Sequence, residues 1–141
     1  MLTFLYLVGV GINYVHIEDR FETENYCKIP LRFTHRSAFA KFRCGVAPLR
    51  IETGRYENLR LNERMCSVCS GEVEDEAHVL FWCPLLEIIY LILSVLLMEF
   101  FLSFNDNQKL VFLFSDFNMI RICPKTCNLI SNERRIVLYC K

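Results

Sequence analysis

Between Met65 and Pro84 the chain places Cys66, Cys69, His78 and Cys83 at the spacing C-x2-C-x8-H-x4-C. This feature constrains the fold most, because four metal-ligand residues within 18 positions require a tight local turn if they meet. The two-residue gap lets one turn aim both thiols at a single point, and Ser70-Gly71 supplies permissive backbone directly after it. The acidic run Glu74-Asp75-Glu76 suits the first turn of a helix, where negative charge meets the positive end of the dipole. His78 would follow one turn later. Residues five apart on an ideal helix point about 140° away from each other, so the helix must end or unwind before Cys83. Pro84 agrees with that.

Three thiolates and a neutral imidazole make a closed tetrahedral set, which suits Zn2+ in a structural role. Their combined charge of −3 against +2 leaves a mildly anionic centre with no position for water, so hydrolytic chemistry is not expected. Two other readings of the cluster exist. The residues could be ordinary buried cysteines, or part of a disulfide framework, which needs an oxidising compartment. The remaining cysteines carry less information. Cys123 and Cys127 are spaced i, i+4 without a nearby His and suit packing, while Cys27, Cys44 and Cys140 have no motif around them. His16 and His35 read as surface residues.

A chain of 141 residues offers one small domain and is too short for a complete polymerase, kinase or barrel enzyme. Its hydrophobic content of 53% is too high for a disordered protein. The zero net charge hides segregation: residues 1–31 carry −2, 32–64 carry +5, 65–109 carry −6 and 110–141 carry +3. The second block holds eight basic side chains against three acidic ones. Such a block can present a local basic face although the average field is nil.

Met1–Gly11 is apolar without a preceding Lys or Arg, which fits a hydrophobic first element better than a secretory signal, although Gly9-Val10-Gly11 resembles a cleavage site. A helix is expected from Thr34, as N-cap, to a stop at Gly45, with Ala38, Phe39 and Phe42 on one side. If it reaches back to Arg32, then Arg32, Arg36 and Arg43 fall within about 40° of one another. Val46–Arg64 reads as loop plus a short element. Leu85–Phe104 has the length of a membrane span, but Glu87 and Glu99 leave only Ile88–Met98 free of charge and no Lys/Arg cluster flanks it. A buried helix is preferred, with a small membrane protein as the alternative. After the break Asn105-Asp106-Asn107, helices are expected over Gln108–Phe114 and Asn118–Tyr139, the last kinked or divided at Pro124.

The expected fold is therefore mainly α, a small zinc-stabilised helical module followed by a helical C-terminal segment. Its parts are an apolar and acidic extension (1–31), a basic helix with the Cys/His cluster (32–84), and the helical segment 85–141. The stretch Ala40-Lys41-Phe42-Arg43-Cys44-Gly45, then Pro48-Leu49-Arg50-Ile51-Glu52-Thr53-Gly54-Arg55-Tyr56, then Cys66–Cys83, resembles the zinc-binding region that follows the polymerase in non-LTR retrotransposon reverse transcriptases of invertebrate type. The resemblance covers residues 35–84 well. It extends more loosely to Phe112-Leu113-Phe114-Ser115, Thr126-Cys127-Asn128-Leu129-Ile130 and Arg134-Arg135. The segment after Cys83 is more apolar than in that family, and Met1–Gly11 matches nothing in it.

The resemblance implies a zinc module that helps a reverse transcriptase hold RNA or target DNA, with a polymerase domain supplied in trans. No Asp-Asp pair for two catalytic metals is present, so the chain is expected to be no enzyme. In this reading Arg36, Lys41, Arg43, Arg50, Arg55, Arg60 and Arg64 meet phosphates, with Tyr56 or Phe42 as stacking groups. The competing reading is a structural or protein-interaction zinc module, or a degenerate remnant. An intracellular location, nuclear or cytoplasmic, goes with the zinc readings.

Overall fold

The computed structural model describes residues 23–84, 91 and 103–139. The apolar start Met1–Gly11 lies outside them, as does nearly all of the expected helix or span Leu85–Phe104. The described chain is mainly helical and contains no strand. Helices α1 (Asn25–Lys28), α2 (Phe33–Arg43) and α3 (Arg50–Tyr56) precede the cysteine cluster; α4 (Asp106–Ser115) and α5 (Met119–Tyr139) follow it. Between them lie a 3-10 turn, Leu61–Glu63, and a π turn, His78–Trp82. Among the described residues no helix is long and apolar enough to cross a membrane.

Helix α2 presents Ala38, Phe39 and Phe42 on one buried side, as its spacing predicts. The Phe39 ring meets Tyr26 edge-on at 5.1 Å and Phe114 at 5.3 Å. Helix α5 answers with Ile120, Cys123, Cys127, Ile130 and Arg134, a stripe at alternating three- and four-residue steps. Cys123 and Cys127 are fully buried, 3.8 Å apart at sulfur, and pack in this core. Among the described residues, members of both expected units, 32–84 and 85–141, share a hydrophobic cluster.

Helix ends follow local chemistry, with some corrections. Gly45 stops α2 at φ 66°, with Val46 N–H donating to Lys41 C=O and Gly45 N–H to Phe42 C=O, a Schellman pair. Asn58 repeats the device after α3 at φ 55°. Thr34 is not the N-cap of α2; the helix begins at Phe33 after Arg32, without a side-chain cap. Asp106 and Asn107 are not a break but the first turn of α4, because Asn105 and Gln108 cap each other reciprocally at 2.9 Å. Pro124 does not divide α5. It is the sixth residue of the helix, so its missing N–H leaves just the Ile120 carbonyl in the second turn without its usual donor.

Gly54 is a required glycine for a reason outside its own helix. A Cβ there would lie 2.7 Å from Arg64 Cγ and 3.0 Å from Cδ. The Arg64 stem passes over α3 so that its guanidinium can donate to the Leu59 and Ile51 carbonyls. Alanine normally gains about 1 kcal/mol over glycine inside a helix. Overpacking of this kind costs about 1–3 kcal/mol, so it outweighs that gain. Gly54→Ala is expected to lower the urea midpoint; an unchanged or raised midpoint would contradict the close approach.

Candidate metal centre

The first two thiols sit on a short hairpin. Glu74 N–H donates to Arg64 C=O at 3.0 Å, Met65 and Val73 form an antiparallel bridge, and Cys66 N–H donates to Glu72 C=O at 2.7 Å. The turn closes with Ser70 N–H on Cys66 C=O at 2.8 Å. Ser70 adopts the left-handed conformation (φ 57°), whereas Gly71 has no positive φ, so the permissive pair is used at its first residue. Gly71 N–H donates to Cys69 Sγ at 3.5 Å.

The other two donors come from the segment after the hairpin. Asp75 Oδ1 accepts from His78 N–H at 2.7 Å and starts the helical turn. The turn then widens: Cys83 N–H donates to His78 C=O at 2.7 Å, an i→i+5 bond. A π turn closes over five residues and brings Cys83 back above His78, whereas an α turn would leave the two splayed. The expected unwinding thus takes the form of a π turn, after which Cys83 is extended.

The result is a cluster of four donor atoms, one each from Cys66, Cys69, His78 and Cys83, all within 4.8 Å of one another. Together they could hold a metal ion. Cys66, His78 and Cys83 are buried and Cys69 is half-buried. His78 turns Nε2 toward Cys69 Sγ at 3.3 Å, and its Nδ1 lies 3.6 Å from the Glu72 carboxylate. At that distance the carboxylate is a nearby charge rather than a hydrogen-bond acceptor, and Nδ1 has no hydrogen-bond partner among the described residues. Burial, with the Glu74 carboxylate and the Cys83 thiol nearby, pushes the Cys66 thiol up to about 12. Burial also pulls Cys69 upward, yet the Gly71 amide and the Cys66 and Cys83 thiols outweigh it and leave Cys69 below its ordinary value.

Glu74 was expected in the first turn of a helix; it is instead a fully buried carboxylate behind the cluster. Oε1 accepts from Arg134 Nε at 2.9 Å and lies 3.6 Å from Cys66 Sγ. Oε2 accepts from Arg134 Nη2 and from Arg50 N–H, each at 2.7 Å. Arg134 Nη1 donates to Pro48 C=O at 3.1 Å. Sequence inspection misses this pair because its members stand 60 residues apart. Arg134-Arg135 enters the sequence reading only through the looser part of the resemblance.

The expected phosphate-binding residues do not form one free cationic face. Arg43 is 3% exposed, ion-paired with Glu24 at 2.7 Å and placed over the Tyr26 ring, so the Arg32/Arg36/Arg43 stripe does not face solvent together. Arg64 is buried with three bonds to carbonyls. Both are therefore removed from the phosphate-contact set, since a guanidinium held inside cannot reach an external anion. Phe42 is buried and is removed as a stacking group. Arg50 grips Glu57 with two bonds, Arg55 pairs with Glu52, and Arg36 donates to Ile29 C=O. Lys41 and Arg60 are exposed, and so is Tyr56 at 78%. On α5, Arg121, Lys125 and Arg135 are exposed along one side.

No family model, no curated protein and no solved structure matches this chain.

Proposed function

We propose that the chain is a structural zinc module that associates with nucleic acid, as its resemblance to the reverse-transcriptase region implies. The observation that carries this reading is the convergence of three sulfurs and one imidazole nitrogen within 4.8 Å in a buried setting. Zn2+ with bonds of about 2.0–2.3 Å has donor-to-donor edges of roughly 3.3–3.8 Å in a tetrahedron. The Cys69–His78 separation of 3.3 Å already fits such an edge. The soft donor set favours zinc over magnesium or calcium. When bound, the ion would cross-link the hairpin to the π turn, and four protein donors would leave no position for a reacting water.

The nucleic-acid part of the reading rests on a narrower set of cations than the sequence suggests. Lys41 and Arg60 would meet phosphates directly, with Arg36, Arg50 and Arg55 at the half-buried margin. Exposed Tyr56 supplies a stacking face. Neutralising three to five phosphates of a single strand gives a slope of roughly −2 to −3.5 in log K against log salt. Zinc-loaded protein is therefore expected to lose roughly 20- to 100-fold in single-stranded RNA affinity between 50 and 200 mM salt, measured by fluorescence anisotropy. Absent or salt-independent binding would overturn the nucleic-acid reading. A mass spectrum under native conditions without bound zinc would overturn the zinc reading.

A further inference from the structure

We infer that Arg134, 60 residues away on α5, is the outer-sphere counter-charge of the metal centre and positions it through Glu74. This inference rests on the metal-binding reading above. Glu74 is fully buried, and its Oε1 is shared between two groups: the sulfur of ligand Cys66 at 3.6 Å and the Arg134 guanidinium at 2.9 Å. Oε2 is held by the same guanidinium and by the first amide of α3. The chain thus runs Cys66–Glu74–Arg134 without a gap, from the metal cluster to the C-terminal helix.

The charges give this chain a direction. A divalent ion with three thiolates and one imidazole carries −1, and the adjacent Glu74 carboxylate adds another −1. A thiolate that holds a metal has no proton to donate, so Cys66 can no longer satisfy Glu74. The two negative groups then face each other out of water, where opposition between like charges is poorly screened. Arg134 is the cation in contact with Glu74, and its own burial is enforced by α5 packing. Removing its charge penalises the metal-bound state more than the metal-free one. By reciprocity, metal binding tightens the docking of α5.

The order of affinities among three variants tests this. Zn2+ is titrated into full-length wild type, Arg134→Met, Glu74→Gln and the double variant against a chromophoric chelator, with folding checked by circular dichroism. Arg134→Met is expected to bind about 10- to 100-fold more weakly than wild type, the range seen when an outer-sphere partner is lost. Glu74→Gln is expected to bind at least as tightly as wild type, and the double variant to return within about threefold of it. A purely structural pair gives a different order, in which Glu74→Gln weakens binding as Arg134→Met does, because each leaves one buried charge unpaired, so Glu74→Gln is the arm that separates the two roles. Hydrogen exchange adds a second readout: chelation should raise exchange in α5 of wild type and leave α5 of Arg134→Met unchanged.

If wild type binds no zinc, the metal reading itself fails. If wild type binds but Arg134→Met stays within threefold of it, this inference fails while the metal reading stands. Should Arg134→Met not fold, Glu74→Gln decides: a tenfold weaker affinity overturns the proposal.

Discussion

Stripping metal from the purified chain with a strong chelator is expected to lower its Tm by about 10–15 °C. The size follows from linkage: a ligand at 1,000 times its Kd stabilises the folded state by about 4 kcal/mol, and each kcal/mol shifts a domain of this length by about 2–4 °C. Cys69→Ser is expected to reproduce the chelated melting curve without chelator. Cys69 is the half-buried donor, 3.3 Å from His78 Nε2, so serine fits the space while losing the soft ligand. Hydrogen exchange should locate the largest change at residues 64–84, where the hairpin and π turn lose their common anchor. Identical melting with and without chelator would show that the four donors hold nothing of structural weight.

Phe39→Ala is expected to cost about 3–5 kcal/mol, the range for truncating a buried aromatic ring. Phe39 has no exposed surface and stands between Tyr26 and Phe114, so three helices lose contact at once. The measurement is urea denaturation with zinc at saturation, so that the metal contribution is equal in both proteins. The four donors belong to the hairpin and π turn, so one zinc per chain should still bind. A loss under about 1 kcal/mol would mean that the surroundings collapse onto the vacated space.

The metal cluster was legible because its members are close in the chain and chemically unusual. Spacing alone brings Cys66 and Cys69 together, and the five-residue step to Cys83 forces a departure from α geometry, which the π turn supplies. Gly45 was legible as a helix stop because a left-handed residue after a helix is a local requirement. The failures share a different physical origin. Arg43 and Arg64 look like solvent-facing cations in a basic block, yet Glu24 and the Leu59 and Ile51 carbonyls draw them inward. Glu74 looks like a helix-start acid, yet the amide of Arg50 and the guanidinium of Arg134 take it into the core. Apart from the Arg64–Leu59 contact, five residues apart, these pairings join residues 13 to 60 positions distant, which no local pattern encodes. Pro124 does not divide the last helix because it falls in the second turn, where its missing N–H costs a single backbone bond.

The bond between Glu74 and Arg134 also orders events while the chain is being made. Glu74 precedes Arg134 by 60 residues, so a growing polypeptide holds the carboxylate before its guanidinium exists. Until then the Glu74 carboxylate has no guanidinium to enter the interior with, and burying it alone would cost free energy. Helix α5 therefore completes what the hairpin begins, and a chain interrupted anywhere between these two residues would lack the guanidinium that accompanies Glu74 into the core.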